Sequence, residues 1–384
     1  MFEGRRRIKA SAPAFQTVNT PFNSQVYTMD VVILAAGRGT RLLPLTATRP
    51  KPMVPLLNRP LMDYGMARLQ KIKANRIIIL VDYLGHHIVS RYKDWDGYEV
   101  LFTEKNEPLG TAGAVGVVAE DLHDTFLVLS GDVLADLDLQ ALLQFHQEMG
   151  AEATMALSRV DDPSQYGIAI LDDDGRVTRF LEKPPRAKAF SNLVNAGIYV
   201  FEPGAFEELP PERPFDVARH LYPHMLESSR RLYGFPFEGY WNDVGRPGNY
   251  LLATEDCLRG RYKTDATPAI SAAQEGGYLM TGRDCTIGRD VTIRNFAILG
   301  DEVEIRAGAT LNSSVLFSHT VVGEKCNIQE SIVGERCVLE QEVVVRAGSV
   351  VGDACYIKTG SVLGYNTRLW PGSRLGEGTL VNPD

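Results

Sequence analysis

Residues 31–55 read VVILAAGRGTRLLPLTATRPKPMVP. The apolar run Val31 to Leu34 has the character of a buried strand, and it runs straight into two glycines, Gly37 and Gly39. A glycine-rich turn after a strand leaves backbone N–H groups open, so phosphate oxygens can approach closely. Arg41 and Lys51 add fixed positive charge, arginine being suited to bidentate contact with phosphate. The dinucleotide fingerprint would need a third glycine where Leu42 stands, and the pattern GxxxxGK[ST] does not occur. The stretch is therefore a third kind of anion-receiving loop, set at the end of a strand.

Outward from this loop, apolar runs alternate with amphipathic ones as far as about Arg259: DVVILA with LMDYGMARLQKI, RIIILV with HHIVSRYKDW, FLVLSGDVL with DLQALLQFHQEMG. That alternation predicts βαβ units, an α/β class and a Rossmann-like, mostly parallel sheet with ligands at the carboxyl ends of its strands. From about residue 280 the rhythm changes to six. Aliphatic residues stand at Ile287, Ile293, Leu299, Ile305 and Leu311; a step of five leads to Leu316 and on to Ile328, and another to Val333 and on to Leu375. Glycine follows many of them, as at Ile287-Gly288 and Val351-Gly352, which is the pattern of hexapeptide repeats in a parallel β-helix. Three hexads per coil give about five coils, a prism roughly 25 Å tall. The expected organisation is an extension over 1–28 without order, a catalytic domain over 29–259, a linker over 260–277 and a β-helix over 278–384.

A chain of 384 residues is long enough for two cores. A net charge of -8 argues against the broad basic field that nucleic acid or an anionic membrane surface needs, whereas a small anion needs only a few local cations. The apolar run Ile77 to Val81 is far short of the roughly 20 residues of a membrane span, and Arg5-Arg6-Arg7 has no apolar stretch behind it. Cys285, Cys326, Cys337 and Cys355 each fall three residues after a glycine, a repeat position and not a metal-ligand spacing. Reduced thiols and a cytoplasmic location are expected.

The string GRGTRLLPLT followed by RPKPMVP resembles the signature of the sugar-1-phosphate nucleotidyltransferases, the nucleotide-sugar pyrophosphorylases. The resemblance continues, in order, through EPLGTAGAV (107–115), SGDVL (130–134), YGIAILDDDGRVTRFLEKP (166–184), NAGIYVF (195–201) and WNDVG (241–245). With a left-handed β-helix tail, the chain is similar to the mannose-1-phosphate guanylyltransferase and ADP-glucose pyrophosphorylase branches. The resemblance implies transfer of a nucleotidyl group from an NTP to a sugar 1-phosphate, with GTP and mannose 1-phosphate favoured. The alternatives are glucose-1-phosphate thymidylyl-, uridylyl- or adenylyltransferase, or a bifunctional chain with acyltransferase activity in the β-helix.

It also implies roles. Ala36, Gly37, Gly39, Thr40, Arg41 and Lys51 would receive the triphosphate, and Gly110 and Thr111 would lie near the base. Asp132 and Asp243 would hold Mg²⁺, which takes oxygen ligands and keeps waters and substrate phosphates in its shell. Glu182 would accept from sugar hydroxyls and Lys183 would meet the sugar's phosphate, with Gly167, Asn195 and Gly197 as further sugar contacts. Arg41, Lys51, Asp132 and Lys183 would carry the catalysis. His319, the one histidine among the hexads, seeds the acyltransferase alternative. The flat walls of the prism suit a third role, contact between subunits of a homo-oligomer.

Overall fold

Strand Thr28–Leu34, rich in β-branched residues, sits centrally in a sheet, hydrogen-bonded in parallel to Lys73–Val81 on one side and Phe126–Ser130 on the other. The computed structural model describes residues 6–8, 28–95, 97–104, 109–207, 214–262, 270–272 and 277–382. Most of the expected extension and linker, and Glu107-Pro108 of the EPLGTAGAV motif, lie outside them. Of the first 28 residues, Arg6–Ile8 is a strand antiparallel to Cys285–Ile287.

Contacts divide the chain into two compact units that do not follow the order of the sequence: one gathers Phe22–Gly37 with Met62–Asp243, the other Arg38–Leu61 with Val244–Asp384. In the first, Glu99–Glu104 completes a four-stranded parallel centre, and Leu193–Phe201 joins it antiparallel, carrying Gly167–Leu171 and Ala153–Arg159. The sheet is thus mixed, parallel at its centre and antiparallel towards one side. Helices Gly110–Ala119, Tyr222–Glu227 and the short turn Val217–Leu221 cover one face, where Val32, Ile78, Val128, Val115 and Tyr222 share one core. Leu139–Glu148 starts at Asp138, whose carboxylate accepts from the N–H groups of Gln140 and Ala141, the usual way of satisfying a helix's first donors.

In the second unit the hexads form a parallel β-helix with three faces. Among the described residues each face has six rungs, one more than the sequence count, because the series begins earlier than Ile287, at Tyr278–Thr281, and runs past Leu375 to Leu380–Val381. The aliphatic positions point inwards: Leu299, Leu311, Leu316, Val322, Ile328, Val333, Leu339 and Val345 are all fully buried. Corners repeat as columns of residues with positive φ, such as Asp284, Glu302, His319, Arg336, Ala354 and Gly372. Successive members lie 17 or 18 residues apart, and the 17-residue coils are those containing a step of five. The cysteines at the repeat position are buried, and their thiols donate to carbonyls of the next coil, as Cys285 does to Gly300 and Cys326 to Glu340 at 3.0 and 2.8 Å. Burial pushes the Cys326 thiol up to about 11, so it stays protonated and unreactive at neutral pH. Among the described residues no helix is long and apolar enough to cross a membrane.

Candidate active site

In the sheet unit, register brings several of the expected residues to one end. Leu34 pairs with Ser130, so Ala36-Gly37 and Asp132 leave adjacent strands side by side. The Gly131 N–H donates to the Leu34 carbonyl at 3.0 Å and locks that adjacency. Trp241–Asp243 runs antiparallel to Val133–Ala135 with Asp243 opposite Val133, which sets Asp132 and Asp243 one residue out of register on paired segments. Both are partly exposed. Gly197 follows in the next strand with φ 76°, and a methyl on it would come within 2.9 Å of the Ser130 hydroxyl.

From there a chain of contacts leads to the sugar-side residues. The Trp241 indole N–H donates to the Ala196 carbonyl at 3.0 Å, and the Tyr166 ring packs edge-on against Trp241 with centroids 5.0 Å apart. The Tyr166 carbonyl accepts from the Lys183 N–H at 3.0 Å. Gly167 pairs with Glu182 across an antiparallel register, and a side chain at Gly167 would strike the Phe180 ring and the Glu182 carboxylate. Lys183 holds φ 44°, an unusual conformation for a residue with a side chain and one found at functional positions. Its Nζ lies 3.5 Å from Glu182 Oε1. Burial pushes the Glu182 carboxyl above its usual range; Lys183 opposes the shift and Asp216 adds to it. The Asn195 side chain accepts from the Gly197 N–H at 3.0 Å.

Gly110 and Thr111 open a helix, but tertiary contacts engage both. A methyl on Gly110 would lie 2.4 Å from the Phe215 carbonyl oxygen. The Thr111 hydroxyl donates to Asp216 and accepts from the Val217 N–H, each at 2.9 Å. Gly110 is thus a glycine because the 215–217 segment packs over it.

The loop residues belong to the other unit. Gly39 takes the left-handed conformation, φ 58°, with its carbonyl accepting from the Thr46 hydroxyl at 2.9 Å. A methyl there would stand 2.9 Å from Lys51 Cβ, so the loop doubles back and sets Lys51 against Gly39. Leu42, at the position where the dinucleotide fingerprint has its third glycine, is fully buried and anchors the turn Thr40–Leu42. Thr40 and Arg41 are exposed, whereas Lys51 is 7% exposed.

Residues 30–260 match the family described as nucleotidyl transferase, and residues 276–379 match the family described as the GMPPB C-terminal domain. The chain belongs to the nucleotidyl transferase family. It is 32% identical to the mannose-1-phosphate guanylyltransferase catalytic subunit beta of Danio rerio, over 86% of this chain and 94% of that one. It is also 32% identical to the mannose-1-phosphate guanyltransferase of Schizosaccharomyces pombe, over 84% and 95%. Among solved structures, HddC from Yersinia pseudotuberculosis complexed with GMP-PN matches with a TM-score of 0.51 and 28% identity, covering 59% of this chain and 99% of that one.

In this nucleotidyl transferase the motif reading left three neighbours without a role. Asp216 joins Thr111 to the start of the turn Val217–Leu221 and bears electrostatically on both Glu182 and Tyr199. Its only sequence signal is that of a helix cap, an aspartate just before a helical turn. Tyr166 and Trp241 lie inside quoted motifs, yet their contact spans 75 positions and has no local signature. His319 sits in a corner column of the β-helix with φ 61°, its ring nitrogen 3.4 Å from Glu302, so its left-handed backbone has a structural reason.

Proposed function

We propose that this nucleotidyl transferase joins GTP and mannose 1-phosphate, giving GDP-mannose and pyrophosphate. One observation carries the reaction class: Asp132 and Asp243 stand one residue out of register on paired segments, at the same sheet end as the Glu182–Lys183 pair. The choice of substrates is supported by the names of the Danio rerio and Schizosaccharomyces pombe relatives and by the GMP-PN complex of HddC.

The sugar phosphate oxygen is already an anion at neutral pH, so no general base is required. It attacks the α-phosphorus in line, and the bond to the departing pyrophosphate breaks. The protein's task is to bring two polyanions together and to balance the charge that develops. Lys183 holds the attacking phosphate, while Glu182, Asn195 and the open backbone at Gly167 and Gly197 receive the sugar hydroxyls. Arg41 acts on the departing pyrophosphate and Lys51 on the α-phosphate. The backbone of Ala36, Gly37, Gly39 and Thr40 cradles the triphosphate. The base lies against Gly110 and Thr111.

Asp132 and Asp243 fit a magnesium ion. They are two hard oxygen donors, and among the described residues no larger cluster of His, Cys, Asp and Glu forms an all-protein cage. A site of this kind leaves most of the shell to waters and substrate phosphates. Bound there, the ion would neutralise phosphate charge. The protein acts as a homo-oligomer, with the β-helix, whose Tyr365, Trp370 and Leu380 are exposed, contributing to assembly.

Pyrophosphate release from ATP, CTP, GTP, UTP and dTTP, each crossed with glucose, mannose and N-acetylglucosamine 1-phosphates, tests the reading. GTP with mannose 1-phosphate should give the highest kcat/KM. A preference of about tenfold or more for another pair would overturn the substrate choice, and no turnover with any pair would overturn the reaction.

A further inference from the structure

The signature loop is fastened to the β-helix by a residue with no assigned part in the chemistry. Arg49, two positions before Lys51, is 7% exposed, and its Nη2 lies 2.6 Å from Asp353 Oδ2 and 3.3 Å from Glu335 Oε1. The Thr48 hydroxyl donates to the same Asp353 oxygen at 2.5 Å, and the guanidinium lies 5.1 Å from the centroid of the Phe317 ring. Further along the loop, the Asn58 side chain donates to the Leu299 carbonyl at 2.7 Å.

This contact is additional to the hydrogen bonding of the β-helix repeat itself, as a comparison of two coils shows. Asp353 and Asp301 occupy equivalent corners. In each, Oδ1 accepts a backbone N–H of the coil before it, from Glu335 and Arg283 respectively, both at 2.8 Å. That is the repeat's structural duty, and it uses one oxygen. The other oxygen of Asp301 goes to the Arg283 guanidinium, 68% exposed, on the surface of the β-helix itself. The other oxygen of Asp353 goes to Thr48 and Arg49 of the loop, and Asp353 is 2% exposed. A buried, charge-assisted bond of this kind is short and directional, which suits it to fixing a backbone in place.

We propose that Arg49 and Asp353 are positioning residues: through them the β-helix holds the 38–61 loop in the conformation that presents Arg41 and Lys51 to the NTP. The C-terminal domain thereby sets the nucleotide affinity of its own chain. This rests on the reading that the loop receives the triphosphate.

The test measures kcat and both KM values for the full-length enzyme with Asp353→Asn, Arg49→Ala, Arg49→Lys and Lys51→Ala, beside hydrogen exchange of residues 38–61. Asp353→Asn and Arg49→Ala should raise KM for the NTP by between about 10- and 100-fold, the scale of a small misplacement transmitted to a site. KM for the sugar 1-phosphate should stay within about twofold, exchange in the loop should quicken, and Arg49→Lys should recover part of the loss. If Lys51→Ala disables the enzyme while Asp353→Asn and Arg49→Ala leave KM for the NTP unchanged, the positioning role is wrong and the triphosphate reading stands. If Lys51→Ala has no effect, the triphosphate reading itself fails. Should Asp353→Asn not fold, Thr48→Val beside Arg49→Lys reads out the same loop, and a lowered melting temperature with both KM values intact would overturn the proposal.

Discussion

The β-helix and the sheet end both depend on glycine, for different physical reasons. In the β-helix a methyl on Gly323 would lie 2.4 Å from the Glu340 carbonyl oxygen and 2.5 Å from its carbon. Those atoms are backbone of the next coil and cannot yield without shifting the stack. At the sheet end a methyl on Gly167 would meet the tip of the Phe180 ring at 2.4 Å and the Glu182 carboxylate at 2.7 Å. Those are side-chain atoms and not backbone: the Phe180 ring packs edge-on against Tyr222, and the Glu182 carboxylate belongs to the candidate sugar site. A glycine in the first region therefore protects stability, and a glycine in the second protects the placement of a functional group.

The largest effect expected lies wholly on the functional side of this contrast. Asp132→Asn should lower kcat by about 10² or more, as the loss of one preorganised electrostatic group does, with melting temperature nearly unchanged. Near wild-type turnover in magnesium would remove Asp132 from the chemistry. On the other side, Gly323→Ala should cost about 1–3 kcal/mol through overpacking, with kcat intact in the fraction that remains folded. Gly167→Ala should instead raise KM for the sugar 1-phosphate, with a smaller loss of stability than Gly323→Ala because side chains and not the backbone must shift. Denaturant melts run beside steady-state kinetics would break the comparison if both variants moved both quantities alike.

The same contrast explains what could be read from the chain alone. Each coil imposes one constraint again 17 or 18 residues later, so the period of six, the steps of five and the buried cysteines were all written repeatedly in the sequence. The periodic positions from Ile287 to Leu375 miss only the first rung, Tyr278–Thr281, and the last, Leu380–Val381. The site is written once. Gly110 looks like a base contact within its motif, but what makes it a glycine is the Phe215 carbonyl, 105 residues away. Arg49 looks like one more loop cation until Asp353, 304 residues on, is beside it. The proximity of Asp132 and Asp243 depends on two short segments pairing across more than a hundred residues, and only resemblance to a family pointed to it.

Lys183→Ala offers a sharper and smaller test within the sheet end. KM for the sugar 1-phosphate should rise about tenfold, on the scale of one hydrogen bond to a charged group, and KM for the NTP should rise much less. The reverse split would exchange the substrate sides.

The smallest expected effect sets one carboxyl of each region against the other through pH. In the β-helix, burial works against the charge of Asp301, but the Arg283 guanidinium and backbone N–H outweigh it and hold the carboxyl below its usual range. A carboxyl whose folded pKa is depressed stabilises the fold above its unfolded value, near about 3.9, and that contribution is lost as pH falls through the folded value. At the sheet end the sign is reversed. Burial, with Asp216 nearby, raises the Glu182 carboxyl despite Lys183, so the folded state holds its proton more tightly than the unfolded chain does. Its ionisation then disfavours the fold as pH rises past the unfolded value near about 4.3, and this penalty vanishes below it. Glu182→Gln should therefore melt at a higher temperature than the wild type at pH 7, with the gap closing as pH approaches 4, while sugar 1-phosphate binding weakens. Asp301→Asn should melt lower at pH 7, its gap closing in the same direction. The first result would mean that the enzyme keeps a destabilising carboxylate because the sugar needs it. Parallel melting curves across pH for Glu182→Gln and the wild type would show that the carboxylate carries no such cost, and the electrostatic contrast between the two regions would fall.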